Sequence, residues 1–265
     1  MRLFRSRRRV RIDPVGAIKR RSREQLCSGP QVLEVPLYSV FEASRYLQIP
    51  ENTLCSWVSG RSYPLRSGAS RRSEPVIELA DPTGSRLSFN NLTEAHVLDA
   101  LRRQYQVELP QIRRAVGYLR EHFRNPHPLV HHEMLTDGKH LFVEAAGLKD
   151  VINASRHGQL AMRDLIGLHL QRVEWDKEGF VARLYPFTRS RRSPAEEERQ
   201  PRVVTMDPRV ECGRPVLKVS AVPTAVIADR YKAGESIADL ADDYGEDPLN
   251  IEEAVRCELQ PAKAA

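Results

Sequence analysis

Residues 38–61 read YSVFEASRYLQIPENTLCSWVSGR and contain two short helical patterns on either side of a proline. The first pattern has apolar residues at helical spacing, Val40, Ala43 and Leu47, and Ser39 and Glu42 are spaced as a capping box at its start. Pro50 interrupts the pattern, which resumes with Leu54, Trp57 and Val58. Gly60 is expected to end the second helix, since glycine most easily adopts a left-handed cap. The stretch therefore predicts a helix, a tight turn and a second helix.

The second helix has the side chains of a DNA reader. Opposite its apolar face lie short hydrogen-bonding side chains that can reach base edges: Asn52, Thr53 and Ser56. Arginines that would contact phosphates flank it, namely Arg45, Arg61, Arg66, Arg71 and Arg72. The alternative is an ordinary helical hairpin whose polar residues only keep it soluble. The flanking arginines favour a DNA-binding helix-turn-helix.

Charge is unevenly distributed along the chain. Of its 265 residues 41 are basic and 35 acidic, for a formal net charge of +6. Residues 1–25 contain ten basic and two acidic side chains, a balance of +8, whereas residues 225–265 contain four basic and ten acidic ones, a balance of −6. Because a phosphate backbone attracts the first and repels the second, the two ends would suit different partners.

The sequence lacks the signals of several protein classes. No apolar run approaches the ~20 residues that span a bilayer, and no apolar signal core follows the arginine-rich start, so we expect a cytoplasmic protein. Cysteines are too far apart for a disulfide framework or a zinc site and are expected to be reduced: Cys27, Cys55, Cys212 and Cys257. No local nucleophile and base, phosphate loop or carboxylate pair is present. We therefore expect no catalytic residues, no cofactor and no metal site.

Residues 1–35 have too few periodic apolar positions to fold alone and predict a basic, disordered arm. Two explanations remain open. The arm contacts phosphates or enters a groove beside the helix-turn-helix, or it follows from a start codon chosen too far upstream and has no role.

The remaining chain alternates helical and strand patterns, which predicts the α+β class. Residues 36–126 form the first unit. Two strand-like runs, 75–80 and 87–89, surround turn residues and predict a wing, so that this unit is a winged helix-turn-helix. Two amphipathic helices follow, the first capped by Asn91 and the second opened by Pro110.

Residues 127–187 predict a small mixed α+β middle unit. Turn residues at 136–139 and 176–179 each lie between strand-like runs and indicate two hairpins. A helical pattern covers 160–173 between them.

Residues 188–202, TRSRRSPAEEERQPR, have no apolar periodicity and predict a charged linker. It is either a solvated tether or a peptide that presents Arg189, Arg191 and Arg192 to an acidic partner.

Residues 203–259 predict a C-terminal module with a short strand and three helices in a helix-turn-helix-like arrangement, followed by a tail over 260–265. The exposed positions of its helices are acidic: Asp239, Asp242, Asp243, Glu246, Asp247, Glu252 and Glu253. Because a DNA backbone would repel this face, we expect the module to bind protein or to dimerise.

The C-terminal module resembles a small bacterial family, formerly a domain of unknown function. The matching residues are Asp207-Pro208, Gly213-Arg214-Pro215-Val216, Val222-Pro223-Thr224 and Ala233-Gly234-Glu235-Ser236-Ile237. Where that family has a Gly-Thr turn, this sequence has Ser220-Ala221. Together with a MerR-like N-terminal helix-turn-helix and the middle unit, residues 36–259 resemble a VapB-type antitoxin of the kind paired with a PIN-domain ribonuclease.

This resemblance implies a non-enzymatic antitoxin that neutralises a PIN-type ribonuclease and represses its own promoter. Its partners would be duplex DNA, the cognate toxin and a second copy of itself. We expect the homodimer because one recognition helix makes a small interface with DNA, which a two-fold operator would double. We hypothesise that Arg189, Arg191 and Arg192 bind the toxin, because a guanidinium fits among the carboxylates of a metal-dependent nuclease. The alternatives are a stand-alone MerR-like regulator and an enzyme with a non-local site.

Overall fold

The computed structural model describes residues 30–64, 70–81, 85–105, 108–130, 171–189, 191 and 194–259. In these ranges the protein is of the α+β class, with mostly helices and small two-stranded antiparallel sheets, as the sequence predicts. None of the helices in the described ranges is long and apolar enough to cross a membrane.

The quoted stretch forms the predicted pair of helices. Strand β1 (Tyr38–Ser39) leads into α1 (Val40–Leu47), and α2 spans Glu51–Ser59. The capping box is present, because the Ser39 hydroxyl accepts from Glu42 N at 3.1 Å and the Glu42 carboxylate accepts from Ser39 N at 2.9 Å. Gln48 ends α1 in the left-handed conformation, with φ 54° and ψ 39°. Pro50 precedes α2, as the interrupted pattern indicates.

The predicted strand over residues 75–80 does not form. The hairpin after α2 consists instead of β2 (Ser62–Pro64) and β3 (Ser70–Arg72). The N–H groups of Val76 and Ile77 donate to Trp57 O at 2.8 and 3.1 Å, so this run closes the end of α2. Strand β4 (Arg86–Leu87) pairs with β1. The prediction was wrong because a run of apolar residues indicates only that a segment is buried. A segment buried against the end of a helix has the same apolar pattern as a strand.

Two long helices follow, α3 (Phe89–Tyr105) and α4 (Leu109–Phe123). The predicted cap of α3 is displaced. Asn91 lies inside the helix, and its amide oxygen accepts from Ser88 N while the Ser88 hydroxyl accepts from Asn91 N, both at 3.2 Å. Ser88 is therefore the capping residue, and Asn91 is the reciprocal partner of the box.

Part of the predicted basic arm is ordered. Residues Pro30–Glu34 form a 3₁₀ helix, and Val32 and Leu33 are 2 and 1% exposed in the N-terminal core. Glu34 accepts from His127, which also contacts Glu94 on α3, at distances of 3.1 and 2.9 Å. The sequence placed the arm boundary too late because two apolar residues in isolation show no periodicity. Residues 1–29 lie outside the described ranges.

The second hairpin of the middle unit is confirmed. Strands β5 (Val173–Trp175) and β6 (Val181–Leu184) are antiparallel and joined by the predicted turn. Leu184 exchanges backbone hydrogen bonds with Met206, and both side chains belong to the N-terminal core. The hairpin predicted around 136–139 and nearly all of the helix over 160–173 lie outside the described residues.

The C-terminal module has a core of its own. A helix α5 (Pro194–Glu198) precedes strands β7 (Val204–Thr205) and β8 (Val216–Leu217), which pair antiparallel. Three helices then pack together: α6 (Thr224–Lys232), α7 (Ile237–Tyr244) and α8 (Pro248–Leu259). Ser236 caps α7 by accepting from Asp239 N at 3.1 Å. Ala221, in the turn that departs from the family pattern, has a left-handed φ of 56°.

The predicted linker is docked, not solvated. Arg191 is 2% exposed and donates to three acceptors: Asp99 Oδ2 at 2.6 Å, Glu197 Oε1 at 2.9 Å and Leu47 O at 3.2 Å. Gln200 is also buried, at 6% exposure. The prediction of a flexible tether was wrong because Arg191 also binds Asp99 and the Leu47 carbonyl, which lie 92 and 144 residues away in sequence.

Candidate DNA-binding surface

Helix α2 has one buried and one exposed face. Its apolar residues Leu54, Trp57 and Val58 are 0, 1 and 7% exposed and pack into the N-terminal core. The exposed side chains form a row along the other side, which we call the α2 row: Glu51, Asn52, Cys55 and Ser59. Because the helix is anchored by its buried face, the α2 row is held in a defined orientation.

The three predicted base-reading residues are not equivalent. Asn52 is exposed on the first turn of α2. Thr53 and Ser56 are half-buried, and the Ser56 hydroxyl donates to Thr53 O at 2.7 Å. That internal bond uses the only proton of Ser56 and leaves its oxygen as an acceptor.

Two of the predicted phosphate anchors lie beside the end of α2. Arg61 and Arg72 are both exposed, and the Arg72 guanidinium donates to Ser59 O at 2.8 Å. The bond places a positive charge at the helix C-terminus, where the helix dipole favours it. Arg71 lies on β3 between them in the hairpin, and Arg66 lies outside the described residues.

Arg45 is turned away from this surface. Its guanidinium donates to both the carbonyl and the carboxylate of Glu258 on α8, at 2.8 and 2.9 Å. The side chain is 22% exposed. Arg45 therefore joins α1 to the C-terminal module, and the sequence missed this because the acidic partner is more than 200 residues away.

The hairpin is set close to α2 by Gly60. This residue has φ 75° and ψ 178°, so it adopts the predicted positive φ but an extended ψ and not a left-handed helical cap. A Cβ at Gly60 would clash with the backbone oxygen of Ser73. The Arg61 N–H donates to the Ser73 hydroxyl at 3.0 Å and closes the base of the hairpin.

The turn of the helix-turn-helix is tied to the segment that precedes α5. The Gln48 amide donates to Phe187 O at 2.8 Å and to Arg189 O at 3.0 Å. Arg189 in turn donates to the Glu253 carboxylate on α8 at 2.7 Å. Burial would raise the pKa of Glu253, but hydrogen bonds from Arg189 and Thr188 outweigh it and hold that pKa below its usual value.

The predicted toxin-binding arginines are separated by the structure. The Arg189 side chain is 49% exposed while it contacts Glu253. Arg191 is buried and bound to internal acceptors, so its guanidinium is unavailable to a partner in this conformation. Arg192 lies outside the described residues.

Three members of the α2 row were missed by the sequence analysis. Glu51, Cys55 and Ser59 follow one another at spacings of four, which places them on one side of a helix. That spacing was the available signal, but an acid and a thiol are not typical phosphate-binding residues. Among the described residues no cluster of three or more metal-ligating side chains occurs.

Comparisons with known proteins agree with this geometry. Residues 36–116 match the family described as "Putative DNA-binding HTH domain", which covers α1, α2 and the hairpin. The chain is 31% identical over 246 residues to the "Putative antitoxin VapB45" of Mycobacterium tuberculosis, a match that covers 86% of this chain and 98% of that protein. The chain belongs to the VapB45 antitoxin family.

Two further comparisons describe this VapB45 family member. Residues 204–256, which contain α6, α7 and most of α8, match a family described as a protein of unknown function, DUF433. The crystal structure of Rv2018 from Mycobacterium tuberculosis is similar, with 25% identity and a TM-score of 0.58, over 84% of this chain and 99% of that one.

Proposed function

We propose that this member of the VapB45 family is the antitoxin of a type II toxin–antitoxin pair, which represses its own promoter and neutralises a PIN-type ribonuclease. The α2 row beside Arg61 and Arg72 is the observation that carries the DNA-binding part. Polar side chains on an anchored helix supply base contacts, and the arginines supply phosphate contacts.

In the proposed complex α2 enters the major groove with its N-terminal turn leading, as recognition helices do. The hairpin β2–β3 acts as the wing in place of the strands predicted from sequence. Its position next to the end of α2 would direct Arg72 at the phosphate backbone. Asn52 on the leading turn would contact a base edge, with adenine as the preferred bidentate partner of an asparagine.

We assign the toxin contact to the C-terminal module and not to the buried part of the linker. Helix α7 and the turn that follows it carry exposed acids, among them Asp239, Asp242 and Asp247. Such a surface fits a positively charged face of a nuclease that binds RNA, because complementary charge steers association. Arg189 lies at the edge of this module and remains a proposed contact.

The DNA-binding part can be tested by fluorescence anisotropy of the full chain on a duplex from upstream of its own gene. Arg71→Ala/Arg72→Ala should weaken binding to every duplex and reduce the salt slope by about 0.9 per lost phosphate contact. Asn52→Ala should mainly relax sequence preference. Lys232→Ala, an exposed site on α6, is the matched control and should change neither quantity. Unchanged binding in both test variants would contradict the assignment.

The toxin part can be tested by co-purification with the product of the neighbouring gene, followed by assay of its ribonuclease activity with excess antitoxin. Asp242→Lys/Asp247→Lys should release ribonuclease activity. Glu178→Lys, exposed on the β5–β6 turn, is the matched control. If no neighbouring product binds, a stand-alone DNA-binding regulator becomes the better description.

We also propose a homodimer, because one recognition helix per chain gives a small interface that a two-fold operator would double. Light scattering at micromolar concentration measures the mass directly. A monomer with and without DNA would contradict this part.

A further inference from the structure

The first turn of α2 carries an exposed carboxylate, that of Glu51, on the surface proposed to contact DNA bases. Glu51 is the first residue of α2 and is exposed. Among the described residues, no hydrogen bond or ion pair engages its carboxylate. Asn52 beside it and Cys55 one turn later are exposed on the same row. In a surface meant for a polyanion, an unpaired negative charge is unfavourable unless a donor on the DNA meets it.

We propose that Glu51 is a specificity-determining residue, which selects cytosine at one operator position and rejects guanine and thymine there. This inference rests on the proposed DNA-binding function and names the chemistry of its readout. A carboxylate only accepts hydrogen bonds, and cytosine offers its N4 amino group in the major groove. Guanine and thymine present oxygen acceptors near that position, so each would face the carboxylate without a donor.

Cys55 extends the same readout by one turn. Its sulfur lies 3.9 Å from the Ser59 hydroxyl, and the residue is exposed on the α2 row. A thiol is small and weakly polar, so it fits against the C5-methyl group of thymine. Adding a bulky group to Cys55 would hold α2 away from base edges.

The alternative to base selection is a purely structural role for Glu51. A carboxylate in the first turn stabilises a helix through the helix dipole. Such a role predicts a change in unfolding temperature and no change in base preference. The test must therefore measure base preference directly, with unfolding temperature as a second readout.

The experiment is selection from a random duplex library by the full chain and by Glu51→Gln, which keeps the size of the side chain and removes its charge. The wild type should enrich C·G at one position within each half-site, and Glu51→Gln should lose about tenfold of that discrimination, the equivalent of ~1.4 kcal/mol. Asn52→Ala is the comparison, since it should relax a neighbouring position instead.

The outcomes separate the two proposals. If the wild type enriches no sequence, the DNA-binding proposal itself fails. If the wild type enriches a sequence and Glu51→Gln enriches the same one with equal discrimination, Glu51 has only a structural role and the inference is overturned.

A chemical probe gives an independent check on the α2 row. In a Cys27→Ser/Cys212→Ser background, Cys55 is the remaining exposed thiol among the described residues, because Cys257 is 6% exposed. In this background, alkylation of Cys55 by N-ethylmaleimide should abolish selective DNA binding. Operator DNA bound beforehand should protect the thiol from alkylation. When Cys55→Ser is added to the background, N-ethylmaleimide should leave DNA binding unchanged. Full selective binding by the alkylated protein would remove Cys55 from the readout.

Discussion

Arg191 provides the sharpest test of how the linker of residues 188–202 is docked on the N-terminal core. Its side chain is 1% exposed, and its guanidinium bonds to the Asp99 and Glu197 carboxylates at 2.6 and 2.9 Å. In Arg191→Met the methylene volume is largely kept, but the Asp99 and Glu197 side chains, 7 and 6% exposed, lose their shared cation. Removing one partner of a buried ion pair typically costs about 3–5 kcal/mol, because the charge that remains loses a buried counter-charge.

At roughly 2–4 °C per kcal/mol for a chain of this size, Arg191→Met should lower the unfolding temperature by roughly 6–20 °C. Calorimetry at neutral pH measures this. Arg202→Met, an exposed arginine from the same linker, is the matched control and should stay within about 0.5 kcal/mol of wild type. Replacing the carboxylates as well, in Arg191→Met/Asp99→Leu/Glu197→Met, should recover much of the loss. Equal unfolding temperatures for the two single variants would refute the docked arrangement and restore the solvated tether.

Three further changes test local geometry. Gly60→Ala should lower the free energy of unfolding by about 2 kcal/mol or more, measured by urea denaturation, because a positive φ with extended ψ and the Ser73 oxygen both exclude a Cβ. Ala221→Gly should raise the free energy of unfolding by up to about 1 kcal/mol, since Ala221 has φ 56°. Ala225→Gly, in the first turn of α6, should lower it by up to about 1 kcal/mol. Burial lowers the pKa of His127, but hydrogen bonds to two carboxylates outweigh it and raise the pKa to about 10. The stability difference between wild type and His127→Gln should therefore be fully present below pH 6.5 and be lost as the pH rises through 10; a difference independent of pH would contradict this.

Local signals in the sequence determined the helix-turn-helix. The capping pair Ser39 and Glu42 act over three residues, and Pro50 restricts the residue before it, so neither depends on the rest of the chain. The hairpin β5–β6 was predictable for the same reason. Periodicity also identified the buried face of α2, because Leu54, Trp57 and Val58 recur at helical spacing.

Only the tertiary structure decided which polar residues are available to a partner. Arg45, Arg61, Arg72 and Arg191 have the same side chain, yet Arg45 binds Glu258, Arg191 is buried and the other two remain exposed. Whether an arginine joins two elements or lies in the interior depends on acids that are 213 or 92 residues away in sequence. Spacing along a helix reports which face a residue is on, but it contains no information about what packs against that face. The sequence therefore determined the element that could read DNA, and long-range packing determined which of its residues and neighbours are exposed to do so.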